Sequence, residues 1–416
     1  MKDATIALHF GYEKDSQKAM HPPIYMTTAY EYEDTDHAAR LFNLEEEGNI
    51  YTRIGNPTVR IFEKRIAALE RGIDALATAS GMASIFYSIA NLVNTGDNII
   101  ISSKLYGGSI TLATQTLKQF GITAKFFDVH KPETLERQID KNTKAILFES
   151  IANPALTVPD FEKIVEIADN KGIITICDNT LATPYGVKPI EYGVDIVVHS
   201  ASKYIVGNGS AIAGCLIEGK KAKNKLKNYK QFTNPDDSYH GLVYLDKFEN
   251  PFIARARLAL LRDYGAVISP FNAWLLINGL ETLHLRIKAH SKSALEIAKF
   301  IEQKGIKVNY PMLESNENYE YAKKYLNFAG GILSFNLGSY DKAKEFVKNL
   351  KIFSLVTNIA DSKSLVTHPA STTHQQLSKE ELKAAGVPEG LIRMSIGLED
   401  VEDLIEDIGG AFEKIS

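Results

Sequence analysis

"DIVVHSASKYIVGNGS", residues 195–210, places a lysine among small polar residues directly after a β-branched run. Asp195 to His199 reads as a short buried strand, because branched side chains fit a pleated surface. Ser200, Ser202 and Lys203 then stand just beyond its carboxyl end, which is where open α/β sheets bind ligands. Taken singly, each has a plainer explanation: the serines as caps, the lysine as a solvated loop residue. The choice depends on whether neighbouring segments repeat the pattern.

They do. Between about residues 60 and 220 the runs "DNIIIS", "AKFFDV", "KAILFES" and "IITICD" alternate with "GMASIFYSIANLVN", "SITLATQTLKQFG" and "FEKIVEIADNKG", whose apolar residues recur at three- and four-residue intervals. This alternation predicts βαβ units: an α/β fold with a mostly parallel sheet, right-handed connections and helices on both faces. Residues 220–270 break the rhythm with "KKAKNKLKNYK" and the polar, aromatic "QFTNPDDSYHGLVY". Beyond them "ISPFNAWLLINGLETLHLRI" starts a long helix. A helix "SALEIAKFIEQKG", strands "GGILSFNL" and "LIRMSIG", and a terminal helix with Val401, Leu404, Ile405, Ile408 and Phe412 on one face then suit a smaller α+β domain.

The chain is long enough, at 416 residues, for more than one core. Its 47 basic and 51 acidic residues nearly cancel, which argues against nucleic acid or an anionic membrane as the main partner and favours small molecules. Two cysteines, Cys177 and Cys215, make no disulfide framework and no zinc spacing. With no signal-peptide core and no apolar run of membrane length, the expectation is a cytoplasmic protein.

The residues after each strand form a set. Glu149 and Asn153 follow "KAILF", Asp178 follows "IITIC", and Ser200, Ser202 and Lys203 follow "DIVVH". Pyridoxal phosphate chemistry needs an amine for its aldehyde, donors for its phosphate and an acid for its ring nitrogen. Lys203 and Asp178 supply the amine and the acid. In "TASGMAS", Ser80 and Gly81 open an amphipathic helix whose free N–H groups, from Gly81 and Met82, attract an anion, although the same pair is also an ordinary N-cap. No nucleophile elbow, HExxH or Walker motif is present, and "GNGSAIAG" lacks the dinucleotide glycine spacing. His368 and His374 flank "PASTT" without an acidic or cysteine partner at ligand spacing, so loop or packing roles are expected for them.

The segments "YTRIGNPT", "ATASGMAS", "KLYGGS", "ESIANP", "CDNT", "HSASKYIVGNG", "THPASTTH" and "IRMSIGLED" resemble, in order and spacing, the Cys/Met-metabolism family of pyridoxal-phosphate enzymes. The resemblance spans nearly the whole chain and is strongest to the O-acetylhomoserine sulfhydrylase branch. It implies the fold-type I PLP-dependent transferase architecture, with an N-terminal arm over residues 1–58 serving the neighbouring subunit, a cofactor-binding domain over 59–268 and a C-terminal domain over 269–416. It implies pyridoxal 5'-phosphate as cofactor and a homo-oligomer, a tetramer built from dimers that share active sites.

Residue by residue, the resemblance makes Lys203 the Schiff-base lysine and Asp178 the partner of the pyridine nitrogen. Ser200, Ser202, Gly81 and Met82 become phosphate ligands. Tyr106 becomes the ring that stacks on the cofactor and assists proton transfer, and Asn153 a neighbour of its phenolic oxygen. Tyr51 and Arg53 would reach the phosphate of the neighbouring subunit, Tyr51 also touching substrate, and Arg393, helped by Asn358, would grip the substrate carboxylate. Two positions depart from parts of the family: Gly108 where related γ-lyases commonly carry a cysteine, and Asn358, as in the sulfhydrylase branch, where several relatives have a serine.

The implied reaction is formation of L-homocysteine and acetate from O-acetyl-L-homoserine and sulfide, or another sulfur donor, in methionine biosynthesis. Three other readings stand beside it. A cystathionine γ-synthase or γ-lyase would use the same cofactor; a non-enzymatic carrier is opposed by the intact Lys203, Asp178 and Arg393 set; a nicotinamide dehydrogenase is opposed by the missing glycine fingerprint.

Overall fold

The computed structural model describes residues 1–372 and 388–415. Its centre is a seven-stranded sheet of β1 (Asp74–Thr78), β2 (Asn98–Ser102), β3 (Thr123–Phe127), β4 (Thr143–Glu149), β5 (Ile174–Asp178), β6 (Ile196–His199) and β7 (Gly214–Glu218). The strand order is β1-β7-β6-β5-β4-β2-β3. The run from β6 through β3 is parallel, and β7 lies antiparallel between β6 and β1. The expected mostly parallel α/β sheet is therefore present. The five strands read from sequence all form; β1 ("DALAT") and β7 ("GCLIE") were outside that set, and β1 is rich in alanine and carries weak strand propensity.

Alternation along the strands builds two cores. Ile100, Ile146, Phe148, Cys177, Val197 and Ile217 join one apolar cluster, while Ile99, Leu147, Ile176, Val198 and Leu216 join the other. Both faces are covered, as a parallel sheet requires. Helix Pro57–Glu70 packs on β1 and β7, and helix Gly81–Ala90 on β6 and β7. Cys177 and Cys215 are both buried and free.

Two helix readings are corrected. The 109–121 segment is α-helical only over Gly107–Thr111, then widens over Leu112–Thr116 and tightens over Leu117–Phe120. Its threonines are the physical reason: the Thr114 hydroxyl donates back to the Ile110 carbonyl at 2.8 Å, which perturbs a regular ladder. "SALEIAKFIEQKG", read as a separate helix, is the second half of one 34-residue helix, Pro270–Gln303, because no proline or glycine interrupts the join.

The second sheet has five strands, β8 (Val308–Asn309), β9 (Ile332–Asn336), β10 (Ser354–Leu355), β11 (Leu365–Thr367) and β12 (Leu391–Ser395), in the order β10-β11-β12-β9-β8. Helix Val401–Glu413 buries Leu404, Ile408, Ala411 and Phe412, with Val401 and Ile405 partly covered at its margin. Among the described residues, no helix is long and apolar enough to cross a membrane.

Candidate active site

Register brings the rim together. Glu149 ends β4 directly opposite Asp178, which ends β5 and pairs in turn with Val198 of β6. Two carboxylates side by side in a buried place repel, and both are pushed above the ordinary carboxylate range. For Glu149 the main cause is burial, then the charge of Asp178; for Asp178 it is burial, offset by hydrogen bonds from Thr180. One Asp178 oxygen accepts the Thr180 hydroxyl at 2.5 Å and its N–H at 3.0 Å. No other donor among the described residues reaches this carboxylate, so its second oxygen is available to a ligand. Thr180 also accepts the Ser200 N–H at 2.8 Å and so joins the loops after β5 and β6.

Glu149 braces two further loops. Its oxygens accept the Tyr106 N–H at 2.7 Å and the Asn153 N–H at 2.9 Å. Tyr106 itself leaves its ring half-exposed, close over Gly108, where an added Cβ would meet the ring at 2.5 Å.

After β6 the chain makes one helical turn, closed by bonds from Val206 N–H to Ala201 O and from Gly207 N–H to Lys203 O. Gly207 leaves it at φ +80°, a conformation glycine adopts without strain. Lys203 projects from this turn and its amine donates to Asn358 Oδ1. Its affinity for a proton is lowered, first by burial and then by the nearby Arg393 charge. A lysine so placed is more readily a neutral nucleophile and base.

Arg393 stands in β12, buried to 8% exposure, between Thr367 and Ser334 on the flanking strands. It donates to Asn153 Oδ1 at 3.2 Å, the Thr357 carbonyl at 2.8 Å and Thr367 Oγ1 at 3.4 Å. No carboxylate among the described residues pairs with it, and burial pulls it down to about 10. A buried guanidinium held only by neutral acceptors is a site for an incoming anion.

The anion cradle lies at the start of helix Gly81–Ala90. The Ser80 hydroxyl accepts the Ala83 N–H at 3.2 Å, and the N–H groups of Gly81 and Met82 have no partner among the described residues. Gly81 abuts Ser200 so closely that an added Cβ would meet Ser200 Cβ at 2.6 Å. Ser200 brings its hydroxyl to the same spot. The Ser202 hydroxyl instead makes a reciprocal pair with the Ala213 backbone, at 2.9 and 3.1 Å.

Tyr51 and Arg53 are not brought to this rim by hydrogen bonds or ring contacts. Arg53 donates to the Arg262 carbonyl and lies 5.6 Å from the Tyr51 ring, which is itself exposed. His368 is buried and tied to Ser371 and to the Glu389 carbonyl, a packing role; His374 lies outside the described residues. Among the described residues no cluster of metal-ligating side chains exists. A cleft of about 750 Å³ lined by Asp97, Lys144, Tyr229 and Lys230 sits at the other end of the strands, where β4 begins. It is remote from this chemistry.

Thr180, the Glu149 bracing and the Thr357 carbonyl were not singled out as site elements from sequence. Only the "DNT" spacing hinted at the first, since Asp often bonds to the residue two positions on.

An aldehyde that also bears a phosphate and a basic ring nitrogen fits this donor set: a desolvated amine, an available carboxylate oxygen, and a helix N-terminus with free N–H groups. The comparisons agree. The chain is 44% identical to the O-acetyl-L-homoserine sulfhydrylase of Leptospira meyeri, over all of this chain and 97% of that one. It is 45% identical to the homocysteine synthase of Schizosaccharomyces pombe, over 98% and 97%. A crystal structure from Campylobacter jejuni, 49% identical with a TM-score of 0.96 over 99% of this chain and 100% of that one, carries a pyridoxyl-lysine 5'-monophosphate at its own position 205. The profile of the Cys/Met metabolism PLP-dependent enzymes matches residues 4–413. A rim built to hold a phosphorylated aldehyde, on a chain that matches this profile nearly end to end, places the protein in the Cys/Met metabolism family of PLP-dependent enzymes.

Proposed function

We propose that the protein makes L-homocysteine by replacing the acetate of O-acetyl-L-homoserine with sulfide. The Cγ–O bond breaks, acetate leaves with that electron pair, and the sulfur of HS⁻ forms the new bond to Cγ. The observation that carries this reading is Arg393, a buried guanidinium with no carboxylate partner among the described residues, on the same rim as the desolvated Lys203. Relatives named as sulfhydrylases and homocysteine synthases, similar over nearly full length, supply the substrate class.

When bound, pyridoxal phosphate supplies the aldehyde and the electron sink for the reaction. Lys203 would hold it, Asp178 would accept from its ring nitrogen, and Gly81, Met82 and Ser200 would take its phosphate, joined by Ser202 once its hydroxyl exchanges the Ala213 carbonyl for a phosphate oxygen. Tyr106 covers its ring, and Asn153, braced by Glu149 and bonded to Arg393, orients its phenolic side. Arg393 binds the substrate α-carboxylate in its fork, with Asn358 beside it. Lys203 Nζ, freed by substrate, takes the proton from Cα and returns one at the end. Gly108 stands where related γ-lyases commonly carry a cysteine, and its lack of a thiol leans the reading toward synthesis rather than thiol elimination.

The site is completed by a second copy, whose residues 1–58 bring Tyr51 and Arg53 to the phosphate and substrate. Residues 59–268 form the cofactor domain and 269–416 the C-terminal domain, in a cytoplasmic tetramer of site-sharing dimers. The test is an assay of purified protein with O-acetylhomoserine or O-succinylhomoserine and sulfide. Homocysteine from the acetyl ester, lost in Lys203→Ala together with the visible absorbance, is the expected result. Homocysteine at wild-type rate from Lys203→Ala overturns the assignment of the amine.

A further inference from the structure

We propose that Arg286, outside the site just described, is a positioning residue that holds the turn carrying Lys203. Arg286 projects from the long helix Pro270–Gln303 and has no carboxylate partner among the described residues. Its guanidinium donates instead to the carbonyls of Tyr204 at 2.7 Å and Ile205 at 3.2 Å, the two residues after the lysine. The same group donates to the Gly279 carbonyl at 2.6 Å and to Thr282 Oγ1 at 3.2 Å. Among the described residues no other donor serves the Tyr204 and Ile205 carbonyls.

A single helical turn is unstable alone, because it fixes several dihedrals for few hydrogen bonds. Here its open carbonyl end is closed by one planar fork. The fit is tight on both sides: a Cβ at Gly207 would meet Arg286 Nη1 at 2.2 Å, and one at Gly279 would meet the Ile205 carbonyl at 2.1 Å. Glycine at both places lets helix, guanidinium and turn approach. One helical turn further on, His290 packs on the Tyr204 ring at 5.1 Å between centroids and bonds to the Ile396 carbonyl at 2.8 Å. The Tyr204 hydroxyl accepts the Gly331 N–H at 2.6 Å. The far end of the turn is tied as well, through Ser362 N–H to Gly207 O at 2.7 Å. Burial pulls the Arg286 guanidinium down to about 10, yet it remains a cation at neutral pH.

The inference rests on Lys203 being the cofactor lysine, and the experiment separates the two. Cofactor-free protein is mixed with pyridoxal phosphate, quenched with borohydride at intervals, and the modified peptide is quantified. Arg286→Gln should slow modification of Lys203, and lower kcat, by about 10- to 100-fold with KM within about threefold, since misplacement of a reacting group acts on the chemical step. Arg286→Lys should recover part of the loss, because a point charge reaches one carbonyl but not both. Thr282→Val, which removes only the bond that orients the guanidinium, should move the same readouts by about two- to fivefold. Should Arg286→Gln fail to fold, the other two variants decide. Wild-type modification rates in the folded variants overturn the inference, even if their Tm falls. Modification at a different lysine in the wild type would instead overturn the reading of Lys203.

Discussion

At the scale of single residues, chemistry follows from what burial does to charge. Lys203 is desolvated and close to a second cation, so its amine is more easily neutral than a surface lysine. Arg393 is buried among neutral acceptors, so an α-carboxylate would be its first counter-ion. Arg393→Lys should therefore raise KM for the amino-acid substrate by about 100-fold and lower kcat less, because an ammonium replaces a bidentate fork. Steady-state kinetics check this, and an unchanged KM would remove Arg393 from the carboxylate role. Lys203, Asp178 and Ser200 were legible because each directly follows a strand that its own sequence announces. The work of Glu149 was not, since the Tyr106 N–H it accepts lies 43 residues away.

At the scale of elements, the strands set side by side what the chain keeps apart. β7 shows the cost of such placement. Glu218 at its end is buried, with one oxygen on the Ile253 N–H at 3.0 Å and the other without a partner among the described residues. Burial raises its carboxyl to about 8. A carboxyl raised in the folded state stabilises fully below its unfolded value, about 4.3, and that contribution is lost as pH rises through about 8. Glu218→Gln, which mimics the protonated form, should thus resist this loss, exceeding wild type by roughly 1–3 kcal/mol at pH 9 relative to pH 6. Urea unfolding of the cofactor-free protein at the two pH values checks it; parallel curves would show that Glu218 does not titrate there. β1 and β7 were harder to read than β2 or β4, because β1 has leucine as its one strong apolar side chain between two alanines, and β7 opens on glycine and closes on glutamate, residues that favour no sheet.

At the scale of the whole molecule, Tyr51 and Arg53 make no hydrogen bond or ring contact with the rim among the described residues, and the Tyr51 side chain is exposed. If they complete a neighbour's site, co-expressing Lys203→Ala with Arg53→Ala should restore roughly a quarter of wild-type activity: half of randomly paired dimers are hybrids, with one intact site in two. Activity no higher than the sum of the separate variants would place both residues in one chain's site. Local propensity and periodicity, which act over a few neighbours, sufficed for the α/β class, for five of the seven central strands and for the residue types at their ends. That Glu149 opposes Asp178, that no carboxylate among the described residues pairs with Arg393 and that Arg286 closes the lysine turn emerge only once the chain is folded. Those depend on which distant groups burial brings within hydrogen-bond reach, and no local pattern encodes that distance.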